Sequence, residues 1–380
     1  MSNLYYITRS YTHTSFTGGA IIREGNVNLL KDNGINVTVV TQAKSIRDEI
    51  FSEGFVAISP GRIPEKVRIH MERLGLLSDY LVIWANRVTD YLCEIVKPSD
   101  VIFSATGGDL ASLIVGAEVK KRTGAKFVAN FHDPVSFTNY YDERLGRLTH
   151  ISRNKIFQKT LSNVDLVITS SNSYKSYLDT LSNSLKWTNH FGYIESAIVP
   201  CDFTSRKETK TLKAFYGGTL SKTQGPDLVY GFLRSCPNLS LDVFGHSGSR
   251  KTEAENINFY DSLPRNEFLD KVTNSYDVGF VSLADKYFGA CIPSKIYEYI
   301  NLGIPIIGFL PEGEARDIVN DNGYGYVALP NKAADLKKQV SLILKEQERL
   351  VEMNSNILRD RSDWSMNAKV KELTHKIKGL

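Results

Sequence analysis

Residues 293–308 read Pro293-Ser-Lys-Ile-Tyr-Glu-Tyr-Ile-Asn-Leu-Gly-Ile-Pro-Ile-Ile-Gly308. A proline suits the first turn of a helix. Ile296, Tyr299 and Ile300 recur at i, i+3 and i+4 and make one apolar face. The stretch predicts a helix over Ser294–Leu302 and a strand over Ile304–Phe309. An unbroken apolar run fits a parallel strand covered on both faces. A helix feeding a buried strand is half of a βαβ unit, so the fold depends on whether the pairing repeats along the chain.

It does. Downstream, a helix at Glu314–Asn320 precedes a strand at Gly325–Leu329, and residues 332–380 read as helix only. Upstream, strands are expected at Lys213–Tyr216, Ser240–Phe244, Ile257–Tyr260 and Asp277–Leu283, with helices at Pro226–Ser235 and Arg265–Asn274. The polar, proline-bearing stretch Glu195–Lys210 interrupts the alternation and marks a domain junction. A second series precedes it, with strands at Leu4–Thr8, Asn36–Thr41, Phe55–Ser59, Val101–Ala105, Lys126–Phe131 and Leu166–Ser170. Helices such as Gly19–Asn33 and Asp109–Arg122 lie between them. The reading is α/β: two Rossmann-like domains in tandem, 1–198 and 199–362, whose strand C-termini face a cleft where ligands bind in such sheets.

Composition agrees. The 380 residues are 42% hydrophobic and 23% charged, with a net charge of +4. Disorder, collagen and a pure coiled coil are excluded. The charge is too small to require nucleic acid. The apolar runs fall far short of the ~20 residues of a membrane-spanning helix, and the N-terminus lacks a secretory layout. Four widely spaced cysteines fit reduced thiols better than a disulfide frame or a zinc site.

Lys295 and Glu298, three apart, share a helix face distinct from the apolar one. A helix N-terminus with Lys295 in its first turn suits a diphosphate, and Glu298 one turn deeper suits a ribose diol. An exposed Lys–Glu pair explains the same spacing. His132 and Asp133 end a buried strand and so face the cleft; capping the next helix is the plainer role for them.

The stretch from Pro293 to Gly308 resembles the donor-site helix of retaining GT-B glycosyltransferases (family 4-like, group 1), in a variant familiar among bacterial surface-polysaccharide transferases. Glu298 matches the second of that family's two glutamates. Ala290 stands where the first belongs. Ala214–Gly225 is similar to the family's first strand and loop of the donor domain. There Gly218 begins the loop, and Thr219 and Gln224 replace the usual arginine and lysine, with Lys222 between. The resemblance implies donor contacts at Pro293, Ser294, Lys295, Glu298, Gly218, Thr219, Lys222 and Gln224. It adds Gly245, in Phe244-Gly-His-Ser-Gly248, main-chain groups of Leu263 toward the base, and Gly18 and Gly19 of Phe16-Thr-Gly-Gly-Ala20. His132 and Asp133 become the catalytic pair. The loop and helix at Pro311–Val319 also match, and the tail from Asp363 resembles a C-terminal helix (363–380) that crosses back to complete the first domain.

The activity implied is transfer of a hexose-type sugar, with retention, from a nucleotide diphosphate sugar, UDP favoured. The acceptor would be a saccharide or lipid-linked saccharide of O-antigen, capsule or exopolysaccharide synthesis. No D-x-D triplet occurs, so neither a metal nor another cofactor is expected. Between residues 60 and 91, Val67, Met71, Leu74, Leu77, Leu81, Trp84, Val88 and Tyr91 keep a 3–4 spacing, with Arg62, Lys66, Arg68 and Arg73 off that stripe. A helix or helix pair on the first sheet is expected, with its charges in water. The same pattern allows association of a cytoplasmic protein with the inner leaflet. Two rivals are a GT-B-like nucleotide-sugar epimerase, which calls for more clustered carboxylates, and a non-catalytic or nicotinamide-binding double Rossmann protein. The latter lacks a G-x-G-x-x-G in residues 9–25.

Overall fold

Parallel strands bury both faces, and the central strands of both halves do so, whereas the edge strand Ile257–Tyr260 does not. The structure, a computed structural model, describes residues 2–14, 18–135, 147–182, 185–195, 198–204, 209–245, 254–284 and 289–380. Contacts divide the chain into a first unit, Met1–Ile194 with Lys369–Leu380, and a second, Glu195–Ala368.

The first unit runs β1 (Asn3–Thr8), α1 (Gly18–Asp32), β2 (Asn36–Gln42), β3 (Ile50–Ser52), β4 (Phe55–Ile58), α2 (Glu65–Arg73), α3 (Val82–Ile95), β5 (Val101–Gly107), α4 (Ala111–Thr123), β6 (Lys126–Asp133), α5 (Arg147–Leu161), β7 (Leu166–Thr169), α6 (Asn172–Leu181) and β8 (Trp187–Thr188). Among the described residues its sheet has the order β3-β4-β2-β1-β5-β6-β7-β8. Every pair is parallel except β3 with β4. β3 and β8 escape the sequence reading because they hold three and two residues, too few to show a period.

The second unit continues with β9 (Leu212–Gly217), α7 (Pro226–Ser235), β10 (Leu239–Phe244), β11 (Ile257–Tyr260), α8 (Arg265–Ser275), β12 (Val278–Ser282), α9 (Ser294–Leu302), β13 (Ile306–Phe309), α10 (Glu314–Asp321), β14 (Gly325–Ala328), α11 (Ala333–Lys345) and α12 (Glu348–Asp360). α13 (Met366–Lys378) follows. The order β11-β10-β9-β12-β13-β14 is all parallel and reverses direction between β9 and β12. Within the first unit α13 is tied to β8 and the segment after it. Lys369 Nζ donates to Phe191 O (2.8 Å), and Thr188 Oγ1 donates to Glu372 Oε1 (3.4 Å).

Residues 60–91 form a helix pair, but the first helix faces the other way from the expected stripe. In α2, Val67 is 47% exposed and Leu74, just after it, 62%, whereas Arg68 and Glu72 are buried. Polar bonds decide it. Arg68 donates from Nε to Ile63 O (3.2 Å) and from Nη1 to Tyr80 O (2.9 Å). Arg153 Nη1 on α5 donates to Glu72 Oε1 (2.6 Å) and to Asp79 Oδ2 (3.3 Å). A buried charge with partners of this quality outweighs the burial of one valine, worth roughly 2 kcal/mol. The second helix keeps the expected face: Trp84, Val88 and Leu92 are fully buried with Tyr5, Ile7 and Ile102 of the sheet.

In the second unit Asn354 on α12 is 1% exposed and makes three bonds. Nδ2 donates to Cys201 O (2.9 Å) and Gly303 O (2.6 Å), and Oδ1 accepts from Phe203 N (3.2 Å). Gly303, at φ +69°, is the left-handed end of α9. Asn354→Ala leaves these buried backbone groups unpaired. It is expected to lower stability by about 3 kcal/mol, read as a fall in the urea midpoint.

Candidate functional site

The reversal between β9 and β12 leaves a crevice at the C-terminal edge of the second sheet, the place where open α/β sheets bind ligands. Two glycines shape it. Gly218, just past β9, has φ +131°, and its N donates to Phe244 O (2.6 Å). A Cβ on Gly245 would lie 2.5 Å from Gly218 C and O. Only glycine lets the two main chains leave their strands in contact. His246, Ser247 and Gly248, named with Gly245 in the sequence reading, lie outside the described residues.

Lys295 reaches this edge from the first turn of α9. Its Nζ lies 4.7 Å from the Tyr216 ring centre and 3.2 Å from where a Gly218 Cβ would stand. No carboxylate lies within 4.0 Å of it among the described residues. Pro293 begins the helix in extended backbone, and Ser294 follows it, exposed. Glu298, one turn on and half-buried, has Arg265 Nη1 at 2.8 Å from Oε1. That contact is an ion pair across the start of α8 and α9. The sequence reading missed Arg265; it is 33 residues away and no local pattern pairs it with Glu298.

The loop after β9 is closed on itself by Gln224. Gln224 Oε1 accepts from Ser221 N (3.1 Å) and Ser221 Oγ (2.5 Å), which closes the single turn Lys222–Gln224. Its carbonyl is therefore engaged in the loop itself. The turn is anchored on the end of β12 by Ser282 Oγ donating to Gln224 O (2.6 Å) and Ala284 N to Thr223 O (3.0 Å). Thr219 and Lys222 stand exposed on the same loop, and Leu263 is half-buried between β11 and α8. Ala290 precedes Pro293 by three residues, in a loop whose Gly289 packs on Glu312 O; a Cβ there would lie 2.2 Å away.

The first unit gathers a second set of polar groups where its own order reverses, between β1 and β5. His132 and Asp133 end β6 and are half-buried. Gly18 and Gly19 open α1, while Phe16 and Thr17 lie outside the described residues. Two arginines that the sequence reading did not select complete the set. Arg23 on α1 is 5% exposed, and its Nη1 donates to Ser10 Oγ (2.7 Å). Arg9, just past β1, lies 3.8 Å from Asp109 Oδ2 and donates to Tyr80 Oη (3.2 Å). A Cβ on Gly107 would stand 2.8 Å from Arg23 Nη2 and 3.8 Å from both Arg9 Nη2 and Asp133 Oδ2. The missing side chain at Gly107 is thus what lets the charges meet. A glycine pair ending a buried strand, as in Thr106-Gly-Gly-Asp109, was the available signal.

Burial sets the charge states here. It drives His132 well below the ordinary imidazole value, with Arg23 and His190 adding to the effect. It also raises the Asp133 carboxyl, while Arg23 and Arg9 pull the other way. Arg23 Nε is buried without a hydrogen-bond partner, an unpaired polar atom that a bound group could satisfy. Asn130 Nδ2 lies 3.5 Å from His132 Nε2, at the limit of a hydrogen bond.

Residues 202–360 match the family model described as "Glycosyl transferases group 1", which spans most of the second unit. Comparison with curated protein sequences finds no match. The whole chain is similar in fold to several solved structures. Sucrose-phosphate synthase from Thermosynechococcus elongatus has a TM-score of 0.74 at 15% identity, covering 99% of each chain. Anabaena HepE, solved in complex with UDP-glucose, gives 0.69 at 12% identity and covers 100% of each. WaaG, a glycosyltransferase involved in lipopolysaccharide biosynthesis, gives 0.68 at 13% identity, covering 99% of this chain and 100% of its own. The fold is GT-B, built of two Rossmann-like units.

His190, 2% exposed with Nε2 3.2 Å from Asn26 Oδ1, is held down at about 4 by burial and by Lys369. His132 is lowered as well. The unfolded chain therefore takes up protons below pH 6.5 that the folded chain refuses, and stability falls as pH falls through that value. For His190 alone the loss is about 2 kcal/mol at pH 5. The melting temperature is expected to drop between pH 7 and pH 5, and to drop less in His190→Gln.

Proposed function

We propose that the chain, with its group 1 glycosyl transferase segment, moves a hexose-type sugar from a nucleotide diphosphate sugar, UDP favoured, to a saccharide or lipid-linked saccharide, with retention at the anomeric carbon. The observation that carries this reading is the meeting of the Gly218 loop, Lys295 and Glu298 at the second sheet's switch point. Lys295, with no carboxylate beside it, and the first N–H groups of α9 offer positive charge to a diphosphate. Glu298 offers its carboxylate, held by Arg265, as acceptor to a ribose diol. HepE, similar in fold, is described in complex with UDP-glucose.

In this reading the bond from the anomeric carbon to the diphosphate oxygen breaks as the acceptor oxygen bonds to the same face. The acceptor proton passes to the departing phosphate oxygen. No enzyme nucleophile and no metal take part; the chain stabilises the leaving charge and fixes both partners. His132, held neutral, supports the transferred sugar through hydrogen bonds rather than charge. Asp133 beside it orders the sugar and acceptor hydroxyls.

The pathway reading is bacterial surface polysaccharide synthesis at the cytoplasmic face. Among the described residues no helix is long and apolar enough to cross a membrane. Val67, Leu74 and Leu76, all exposed on or just after α2 and interleaved with Lys66, support contact of residues 60–91 with the inner leaflet.

UDP is expected to raise the melting temperature of the wild type, and Glu298→Ala and Lys295→Ala to abolish most of that rise. His132→Ala is expected to keep it while turnover of a UDP-sugar falls at least about a hundredfold. A rise that persists in Glu298→Ala removes the ribose contact from the scheme.

A further inference from the structure

The first unit holds a cavity of about 780 Å³ beside the exits of β1, β2 and β4. Among the described residues its lining contains five cations, Arg9, Lys44, Arg47, Arg62 and Arg68, and one carboxylate, Glu65. Protein surfaces mix both signs at short range, so a concave wall this one-sided is an arrangement for an anion. Among the described residues no carboxylate lies within 4.0 Å of Lys44, Arg47, Arg62 or Arg68, and Arg9 has one only at 3.8 Å.

Arg68 is the telling member. It is 2% exposed, and among the described residues its hydrogen bonds go to the carbonyls of Ile63 and Tyr80, from Nε and Nη1. These neutral oxygens orient the guanidinium, and the carboxylates that act on it, Glu65 and Asp79, lie beyond 4.0 Å and offset its charge only in part. A buried cation oriented in this way, on the wall of a cavity, is preorganised for a charged oxygen. Arg9 connects the cavity to the chemistry described above: it lines the wall, and it lies beside Asp109 and close to Asp133 across Gly107. Ile46 and Ile63, 46% and 38% exposed, stand on the same wall and give it an apolar edge.

We infer that this cavity binds the phosphate of an anionic acceptor. Arg9, Arg62 and Arg68 hold the phosphate oxygens, Lys44 and Arg47 add charge at the rim, and the acceptor's sugar is thereby placed toward Asp133. The inference rests on the transferase reading for the word acceptor; the phosphate site itself does not. A soluble sugar phosphate and a lipid-borne phosphate share this chemistry.

The test uses the full chain and inorganic pyrophosphate as probe, with titration calorimetry on the wild type, on Lys44→Ala/Arg47→Ala/Arg62→Ala, and on Lys295→Ala. The three exposed cations are replaced rather than Arg68, whose loss threatens α2 itself. An unchanged melting temperature of the triple variant certifies its fold. Pyrophosphate is expected to bind the wild type at two sites: one is lost in Lys295→Ala, and the other persists in Lys295→Ala but weakens at least about tenfold in the triple variant. A second site of unchanged affinity in the triple variant, or loss of both sites in Lys295→Ala, overturns the inference. The melting-temperature response to UDP, which depends on Lys295 and Glu298, reports separately on the donor reading. Competition by glucose 1-phosphate assigns a soluble acceptor. Sedimentation with phosphatidylcholine vesicles that requires added phosphatidylglycerol, and is lost in the triple variant, assigns a lipid-borne one. Absence of both responses overturns the acceptor role.

Discussion

A parallel sheet covered on both faces has no inexpensive place for a charge except its ends, and both sheets of this protein obey that constraint. β1, β6 and β12 are buried along most of their length, and the charged side chains of β6 sit only at its two ends. Arg9 follows β1, Asp109 follows β5, His132 and Asp133 end β6, and the Gly218 loop follows β9. Each unit then gathers these groups where its strand order reverses, since there the crossing helices part to opposite faces.

The two gathering points differ in their electrostatics. In the second unit the charges are sparse and separable: Lys295 stands on an aromatic ring, and Glu298 pairs with Arg265. Such a place can exchange its own weak contacts for a ligand's. In the first unit two arginines, two aspartates and two histidines crowd together, and burial holds His132 and His190 uncharged. Groups arranged so are fixed before any ligand arrives, which is the condition for directing a reaction rather than only holding a substrate.

What the sequence disclosed follows the range of the forces involved. Strands such as Leu4–Thr8 and helices such as Ser294–Leu302 were legible because burial on a sheet is written as local periodicity. Lys295 and Glu298 were legible because three-residue spacing on a helix fixes a face. The α2 orientation was not. Its apolar spacing pointed Val67 inward, while the outcome was set by Arg153, more than 70 residues on, and by carbonyls at Ile63 and Tyr80. Arg23, Arg265 and the basic cavity were hidden for the same reason: each depends on partners brought close only by the fold. Gln224, chosen by its place in a motif, closes its own turn.

One feature of the second unit bears on how such chains diverge. Around its crevice several loops touch main chain to main chain: Gly245 on Gly218, Gly289 on Glu312, and Gly313 on Gly289, with separations that admit no methyl group. Positions of this kind offer natural selection almost no vocabulary, since nineteen of the twenty residues are refused on steric grounds. Lineages that change sugar or acceptor must then write the change elsewhere. The match to the family model stops at residues 202–360, whereas likeness of fold reaches 99% of the chain. A side chain at any of these glycines would drive two loops of the crevice apart, so the glycines set how closely its walls stand.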